Sequence, residues 1–186
     1  MDKEITNIIT KIHKNDSLKG SLVVTGCGST AISWLLSIPG ASKTILSAHI
    51  PYSKLSLEKF LNKDLKNHVS EEESRNISNK AYLDSSTILD SNQKDVKLFG
   101  LGCTGAISTD RERKGEDKAH ISLRSEKKIT TYSIYFDKNN RNRITEEIII
   151  SKLIINSIAS LYDITDRISL DLLENEKLYT SHRVIK

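Results

Sequence analysis

Residues 21–42 have the sequence SLVVTGCGSTAISWLLSIPGAS, which predicts a strand, a turn of small residues and a helix. The valine-rich segment SLVVT is typical of a short buried strand, and Ser29 or Thr30 can cap the helix that follows. Pro39-Gly40 ends that helix. The turn Thr-Gly-Cys-Gly-Ser-Thr has three possible uses: it holds a phosphate, carries a nucleophile, or lets the strand pack closely on the helix.

The rest of the chain adds elements on both sides of this unit. Isoleucines at positions 5, 8, 9 and 12 recur at helical spacing and predict an amphipathic helix over residues 2–16. The predicted order is helix, strand, helix, strand, helix, helix, strand, strand, strand, helix, and then a mixed, partly helical tail up to Lys186. Such an order indicates an α/β fold, a three-layer α/β/α sandwich with a mixed central sheet.

A long helix is predicted from VSEEESRNISNKAYLDSSTIL, residues 69–89. Ser70 and Glu73 form a capping-box pattern at its start, and the helical spacing places Ile77, Ala81 and Leu83 on one side.

Two glycine-rich turns, residues 25–30 and 102–105, each follow a predicted buried strand. Ligands of α/β folds bind at the carboxyl ends of strands, so we expect the two turns to share one rim of the sheet.

The composition narrows the function classes. The 186 residues suit one domain, residues 1–186, and are 37% hydrophobic and 28% charged, with a net charge of +4 and only 5% aromatic residues. No segment has the pattern of a signal peptide or a membrane span, so a cytoplasmic protein without membrane partners is expected. Nucleic acid is not an expected partner. The two cysteines and five scattered histidines lack metal-ligand spacing, and neither a metal nor another cofactor is expected.

The first turn has the composition of an anion site at a helix N-terminus. Gly26 and Gly28 allow close approach of the backbone, and Ser29 and Thr30 add hydroxyl donors. The pattern is not a P-loop, because no lysine follows the last glycine, and it matches the dinucleotide fingerprint only in part. A tight turn with a capped helix remains the structural alternative.

Three other side chains near the turns are candidate catalysts. Cys27 is a possible nucleophile, with its thiolate stabilised by the helix N-terminus and His49 or His120 as base. Cys103 is the other thiol available to a thiol-dependent hydrolase. Lys54, which follows Tyr52-Ser53, is a possible base if it is desolvated. For each, a structural or solvated role is the alternative.

Basic residues begin the last predicted helix, where cations are unfavourable unless they serve an anion or a partner. These are Arg141 and Arg143. The loop at 109–118 is dense in charge and is interpreted first as a mobile solvated loop and second as a lid. Its charged residues are Asp110, Arg111, Glu112, Arg113, Lys114, Glu116, Asp117 and Lys118.

Several segments, in order and spacing over roughly residues 5–161, resemble the CinA C-terminal family (competence/damage-inducible protein A). They are VVTGCGSTAISWLLSIPGAS, AHIPYS, HVSEEESRNISNKAY, GLGCTGAI and RNRITEEIIISKLIINSIA. The resemblance implies a three-layer α/β/α domain that is often dimeric. It also implies nicotinamide-nucleotide amidase activity in NAD metabolism, the conversion of nicotinamide mononucleotide to nicotinate mononucleotide and ammonia.

The family motifs imply catalytic roles for Thr25, Tyr52 and Lys54. Thr25 falls at the serine of the family's Ser-Cys-Thr-Gly-Gly turn, the proposed nucleophile. Tyr52 and Ser53 match the Tyr-Ser-Asn motif, but Leu57 stands at the family's lysine position, which leaves Lys54 as the nearest amine.

The same resemblance implies the residues that bind the substrate. Thr104 and Gly105 match the start of Thr-Gly-Ile-Ala-Gly-Pro, after which Ala-Ile-Ser-Thr departs from the family. The expected set is Gly26, Cys27, Gly28, Ser29, Thr30, Ser53, Thr104, Gly105, and Arg143 or Arg141 for the phosphate.

Three functional hypotheses follow. The first is an amidohydrolase that acts on a pyridine nucleotide such as nicotinamide mononucleotide. The second is a catalytically inactive module of the same fold that binds a nucleotide or phosphate. The third is a thiol-dependent hydrolase. A small nucleotide or phosphate ligand and a second copy of the chain are the expected partners.

Overall fold

A computed structural model describes residues 2–90, 96–110, 113–138 and 140–185. The strands in chain order are β1 (Leu18–Thr25), β2 (Ile45–His49), β3 (Lys97–Ala106), β4 (Lys118–Arg124), β5 (Lys128–Tyr135) and β6 (Lys177–Val184). The helices are α1 (Lys3–His13), α2 (Ser29–Ser37), α3 (Lys54–Leu61), α4 (Glu71–Ile88) and α5 (Arg143–Leu161), with a 3-10 turn at Ala41–Lys43. No helix in these ranges is long and apolar enough to cross a membrane.

The six strands form one mixed sheet in the order β2-β1-β3-β4-β5-β6. β1 runs parallel to both β2 and β3, and β4, β5 and β6 follow as antiparallel neighbours. Helices α1, α2 and α5 pack on one face, and α3 and α4 pack on the other. The predicted three-layer α/β/α sandwich with a mixed sheet is confirmed.

The face covered by α1, α2 and α5 is filled with large aliphatic side chains, and we call it the isoleucine face. Its fully enclosed members include the following isoleucines: Ile8, Ile9, Ile12, Ile121, Ile134, Ile150, Ile154, Ile155 and Ile158. Burial of this much apolar surface is the main favourable contribution to folding.

The opposite face, covered mainly by α4, is filled with small polar residues, and we call it the serine face. The buried stripe of α4 includes Ser74, Ile77, Ser78, Ala81 and Ser85. The predicted helix and its Ser70 cap are present. The prediction that Leu83 lies on one side of the helix with Ile77 and Ala81 is wrong, because those two are fully buried and Leu83 is 55% exposed.

Two glycines of β3 explain why the side of α4 that faces the sheet carries small residues. A Cβ on Gly102 would lie 2.4 Å from both Ser74 O and Ser78 N, and one on Gly100 would lie 2.3 Å from Ser78 O. The helix backbone therefore touches the strand, and no large side chain fits between them. Hydroxyl groups satisfy one another across the contact, with Ser74 Oγ 2.7 Å from Ser122 Oγ.

The tail differs from its prediction. The described residues 162–185 contain no helix, and β6 pairs antiparallel with β5 along its whole length. Every residue of β6 is exposed, so the strand has no alternation of apolar and polar positions that could reveal it.

Candidate functional site

The first glycine-rich turn lies at the carboxyl ends of β1 and β3, whereas residues 102–105, predicted to be a second turn, belong to strand β3. Thr25 lies opposite Thr104 in the parallel register. Gly26 has φ +79°, and a Cβ there would lie 2.1 Å from Gly105 O, so this contact requires glycine at position 26. The first turn and the end of β3 therefore lie at one rim of the sheet, as the order of elements predicts, although the second segment is strand and not turn.

Two adjoining clefts open at this rim, and both are lined by Gly26 and Tyr52. The first, which we call the apolar cleft, has a volume of ≈ 290 Å³ and is lined by Val24, Gly26, Cys27, Ser29, Thr30, Ile50, Tyr52, Arg143, Ile144, Glu147 and Ile148. The second, the polar cleft, has a volume of ≈ 220 Å³ and is lined by Thr25, Gly26, Tyr52, Ser53, Lys54, Leu57, His68, Val69, Thr104 and Gly105.

The hydroxyls of the polar cleft donate to backbone carbonyls. Thr25 Oγ1 donates to Pro51 O at 3.0 Å. Thr104 Oγ1 donates to His68 O. Both threonines are buried, so these bonds fix their side-chain orientations.

The structure brings Thr25, Tyr52 and Lys54 to the same cleft but leaves the amine at its edge. The Lys54 side chain is 65% exposed, and its Nζ lies 3.7 Å from a Glu58 carboxylate oxygen one turn along α3. Leu57, which occupies the family's lysine position, is a core residue packed with Val23. At the position of the family's lysine, this chain therefore has an aliphatic side chain that packs into the core.

Two backbone amides of the first turn are bound to a carboxylate of the chain itself. Glu147 of α5 accepts hydrogen bonds from Gly28 N at 2.6 Å and Thr30 N at 2.9 Å, and from Ser29 Oγ at 3.2 Å. Gly28, rather than Ser29 or Thr30, is the N-cap residue of α2, and it has no side chain with which to cap. The chain's own carboxylate therefore occupies the position expected for a phosphate at this helix, and the assignment of Gly28, Ser29 and Thr30 to substrate binding stays a prediction.

The two candidate arginines have different surroundings. Arg143 lies at the site, where it donates to Gly26 O at 3.0 Å, Ser108 O at 3.1 Å and Tyr52 Oη at 3.2 Å. Arg141 is buried and donates from Nε and Nη2 to the two carboxylate oxygens of Glu176, at 2.6 and 2.7 Å. The guanidinium of Arg141 therefore already holds an internal carboxylate, and its predicted role in phosphate binding stays a prediction.

The thiol alternative lacks an activated thiolate. Cys27 Sγ lies 3.8 Å from Cys103 Sγ, and both thiols are free and buried. The contact with Cys103 and burial raise the pKa of Cys27 well above its ordinary value. A nucleophilic cysteine requires the opposite shift, and Cys27 serves here as a small lining residue of the apolar cleft.

The two histidines proposed as bases for Cys27 have structural contacts elsewhere. His120 is buried on β4, with Nδ1 2.9 Å from Ser133 Oγ, and burial lowers its pKa to about 4. The ring of His49 packs against Phe60, with centroids 5.6 Å apart. Within the described ranges, no group of three His, Cys, Asp or Glu side chains is arranged to hold a metal ion.

The loop at 109–118 is only partly described, since Arg111 and Glu112 lie outside the described residues. Asp117 is buried and pairs with Arg113, which also donates to Ile107 O at 3.1 Å. Lys138 donates to Gly115 O at 3.1 Å. The described part of the loop is thus tied to the body of the fold by an ion pair and backbone contacts.

The predicted site set lacks several residues that line the clefts, and four of them are Ile50, His68, Glu147 and Ile148. Glu147 had a signal, because it follows Arg143 by one helical turn and so shares its face of α5. The other three had none, since their positions depend on how separate elements meet.

No family model matches the sequence, and no significantly similar curated protein was found. Among solved structures, competence/damage-inducible protein CihA from Agrobacterium tumefaciens is similar at a TM-score of 0.64 and 11% identity, over 89% of this chain and 98% of that one. A CinA-superfamily protein from Escherichia coli is similar at a TM-score of 0.63 and 14% identity, over 88% of this chain and 92% of that one. A competence or damage-inducible protein from Enterobacter asburiae is similar at a TM-score of 0.59 and 12% identity, over 86% of this chain and 94% of that one.

Each of these neighbours carries the competence/damage-inducible description that the sequence motifs of the first turn, the Tyr52 loop and the second turn predicted. The chain spans nearly the full length of each, although the sequences have diverged almost completely. The protein therefore has the fold of the CinA superfamily.

Proposed function

We propose that this chain is a divergent CinA-like module that binds a pyridine nucleotide, or a ligand of similar chemistry, without efficient hydrolysis. The two adjoining clefts support this proposal. The apolar cleft matches a flat ring in size and lining, and the polar cleft offers the Lys54 ammonium and hydroxyl groups to a phosphate. Tyr52 and Gly26 border both clefts, so one ligand can extend across them.

The observation that carries the proposal is the state of the expected catalytic pair. A hydroxyl nucleophile needs a base within hydrogen-bond reach, and an amine serves as that base when it is shielded from water and anions. The hydroxyl of Thr25 donates to the carbonyl of Pro51, which cannot take up its proton. Lys54 is 65% exposed and lies beside Glu58. Of the amides expected to stabilise an oxyanion, that of Gly28 is bound to Glu147.

Thermal unfolding and ammonia release together test the proposal. Nicotinamide mononucleotide should raise the melting temperature in a concentration-dependent manner, since a ligand at 100 times its Kd stabilises a protein by about 2.7 kcal/mol. Ammonia release should not exceed that of Thr25→Ala. Lys54→Ala should weaken binding about tenfold, whereas Lys127→Ala, at the opposite edge of the sheet, should not. A melting temperature unaffected by saturating nucleotide would overturn the proposal.

The second candidate function is amide hydrolysis, and one observation favours it: Thr25, Tyr52 and Lys54 line the same cleft. In that mechanism Thr25 Oγ1 leaves Pro51 O and attacks the amide carbon, and Lys54 Nζ takes up the hydroxyl proton. Lys54 passes this proton to the amide nitrogen, the C–N bond breaks, and ammonia leaves. Water then hydrolyses the ester formed on Thr25. Ammonia release that is lost in both Thr25→Ala and Lys54→Ala would establish this activity in place of simple binding.

A further inference from the structure

Strand β6 is the outer edge of the sheet, and its side chains are uncovered. All residues of Lys177–Val184 are exposed, and no other strand in the described part of the chain pairs with the outer edge of β6. Leu178 is 37% exposed, Tyr179 54% and Val184 75%. A strand edge of this kind presents unpaired backbone groups to another chain. The segments that resemble the family end near residue 161, so the resemblance does not imply this surface.

The direction of the unpaired backbone groups follows from the pairing of β6 with β5. Ile185 N donates to Lys127 O at 3.0 Å, in the same register as the ladder between the two strands. Successive residues of an antiparallel strand direct their backbone groups to opposite sides, so the odd-numbered residues of β6 bond to β5. The even-numbered residues point their N–H and C=O groups outward. They are Leu178, Thr180, His182 and Val184.

A second copy of β6 fits this edge in an antiparallel register centred on Ser181. A two-fold axis through this point pairs the strand with its own copy. The outward backbone groups can bond only where an even-numbered residue faces an even-numbered one. With Ser181 on the axis, residues 178–184 of the two strands pair and this condition is met. The opposed pairs are Leu178 with Val184, Tyr179 with Arg183, Thr180 with His182, and Ser181 with Ser181.

The exposed side chains opposed in this register are complementary. Leu178 faces Val184 as an apolar pair. The Tyr179 ring faces the Arg183 guanidinium, which allows a cation–π contact. Each pair occurs twice because of the two-fold axis, so the large apolar side chains of β6 all gain partners.

His182 can bond on both sides of β6. Within the chain it lies opposite Thr130, and its Nδ1 is 3.1 Å from Thr130 Oγ1. The other ring nitrogen, Nε2, has no partner among the described residues and can bond to Thr180 of the second copy. The intermolecular pair would therefore repeat the threonine–histidine pair that the sheet already contains.

The neighbouring registers that keep the backbone bonds are less favourable. A shift by two residues in one direction places Lys177 opposite Arg183, and like charges directly opposite each other destabilise a strand pair. A shift by two residues in the other direction pairs only residues 180–184 and places His182 opposite itself. The register centred on Ser181 avoids both.

We propose that β6 is the interface of a homodimer in which the sheets of two copies join into one continuous sheet across a two-fold axis at Ser181. The same patch of both subunits forms the contact, as in most symmetric dimers. The inference goes beyond the proposed function and does not depend on it, because β4 and β5 separate β6 from β3, at whose end the clefts lie.

The first test is sedimentation velocity of the full chain over a range of concentrations. The wild-type protein should shift from the mass of one chain to that of two. Thr180→Pro removes an N–H group that points to the second copy and leaves the bonds to β5 in place, as proline on an edge strand can. It should raise the dissociation constant of the dimer about tenfold or more, with an unchanged circular dichroism spectrum.

The second test is disulfide cross-linking, which depends on the register. Residues opposed in a non-hydrogen-bonded pair have Cα atoms about 4.5 Å apart, within the range of a disulfide. Ser181→Cys should therefore give a covalent dimer on a non-reducing gel after oxidation with oxidised glutathione. Lys177→Cys, on the same side of β6, lies roughly 27 Å from its copy at 3.4 Å per residue and should not. Cys27 and Cys103 are buried in both variants.

Three results would overturn the inference. A wild-type protein with the mass of one chain at every concentration would show that β6 does not join two copies and leave the edge to another partner, such as an acidic extended peptide. A dimer that is unaffected by Thr180→Pro would place the contact at another surface. Equal cross-linking of Ser181→Cys and Lys177→Cys would rule out the register. If Thr180→Pro does not fold, the pair of cysteine variants decides alone.

Discussion

The two faces of the sheet are stabilised in different ways. On the isoleucine face, large side chains of α1, α2 and α5 fill the space between helix and strand. On the serine face, α4 lies so close to Gly100 and Gly102 that no large side chain fits, and hydroxyl groups bond to one another instead. The stability of the isoleucine face depends on the volume of its buried side chains, and that of the serine face depends on close approach of the helix and strand backbones.

The same difference continues into the site. Side chains alternate along a strand, so Leu101 and Cys103 of β3 face the isoleucine side while Gly102 and Thr104 face α4. Beyond the strand ends, the isoleucine side leads into the apolar cleft and the serine side into the polar cleft. The chemistry of each cleft is thus an extension of the core beneath it.

The largest effect is expected for Gly102→Ala, because the added Cβ would lie 2.4 Å from two backbone atoms of α4. We expect a loss of about 4 kcal/mol in the free energy of unfolding, measured by urea denaturation. Gly115→Ala is the matched control, since its Cβ would have no neighbour within 4 Å. Equal urea midpoints for the two variants would contradict close packing as the basis of the serine face.

Ile150→Ala tests the other face. Ile150 is fully enclosed, so its truncation should leave a cavity and lower the free energy of unfolding by about 3 kcal/mol. Ile144→Ala, one and a half turns earlier on the same helix, removes a side chain that is 75% exposed and should change stability by less than about 0.5 kcal/mol. The same denaturation experiment checks both, and similar losses at the two positions would contradict volume as the basis of this face.

A smaller effect is expected for Ser74→Ala, which removes one hydroxyl of the serine face. Ser74 Oγ donates to Glu71 O at 2.8 Å and contacts Ser122 Oγ, which remains 2.9 Å from Thr131 Oγ1. We expect a loss of about 1 kcal/mol. Ser86→Ala on the exposed side of α4 is the control. A double-mutant cycle with Ser122→Ala should show coupling, and strict additivity would contradict a shared network.

A change in pH dependence, and not a loss of packing, is expected for Glu146→Gln in α5. Glu146 is fully buried, with Oε2 accepting from Ser108 N at 2.6 Å, and burial raises its pKa from 4.5 to about 7. At Glu146 the folded protein therefore binds more protons than the unfolded chain between pH 4.5 and 7, and the contribution of this group to stability falls as pH rises through this window. Glu146→Gln should remove this contribution, about 3 kcal/mol over the window, as measured by urea denaturation at a series of pH values.

His120 on the serine side provides the opposite dependence. Burial lowers its pKa from 6.5 to about 4, so stability is lost as pH falls from 6.5 toward 4. Glu146→Gln should therefore still be destabilised by acid. A variant that kept the wild-type slope between pH 5 and 8 would show that Glu146 is not its source.

Local patterns in the sequence predicted most of the fold. The buried strands, the turn between β1 and α2, the Ser70 cap and the long α5 follow from apolar periodicity and turn residues, which act over short distances along the chain. The exposed β6 does not follow from such patterns, because it has no alternation of apolar and polar residues. The serine stripe of α4 does not follow from them either, because it depends on glycines in strand β3.

The candidate site was predicted in its location but not in its bonding. Thr25, Tyr52, Lys54 and Thr104 do line one cleft. The pairing of Arg141 with Glu176 and of the α2 amides with Glu147 joins residues 35 and more than 100 positions apart, and composition near each residue carries no sign of its partner.

The buried pair of Arg141 and Glu176 determines where the chain can be shortened. The sequence resemblance to the family stops near residue 161, but the segment after it supplies Glu176 to Arg141 and places Ile168 against Asn156 in the core. A chain ending at residue 161 would leave a desolvated guanidinium without its carboxylate, a loss of about 3–5 kcal/mol for such pairs. The last residues that resemble the family are therefore not the last residues that the fold needs.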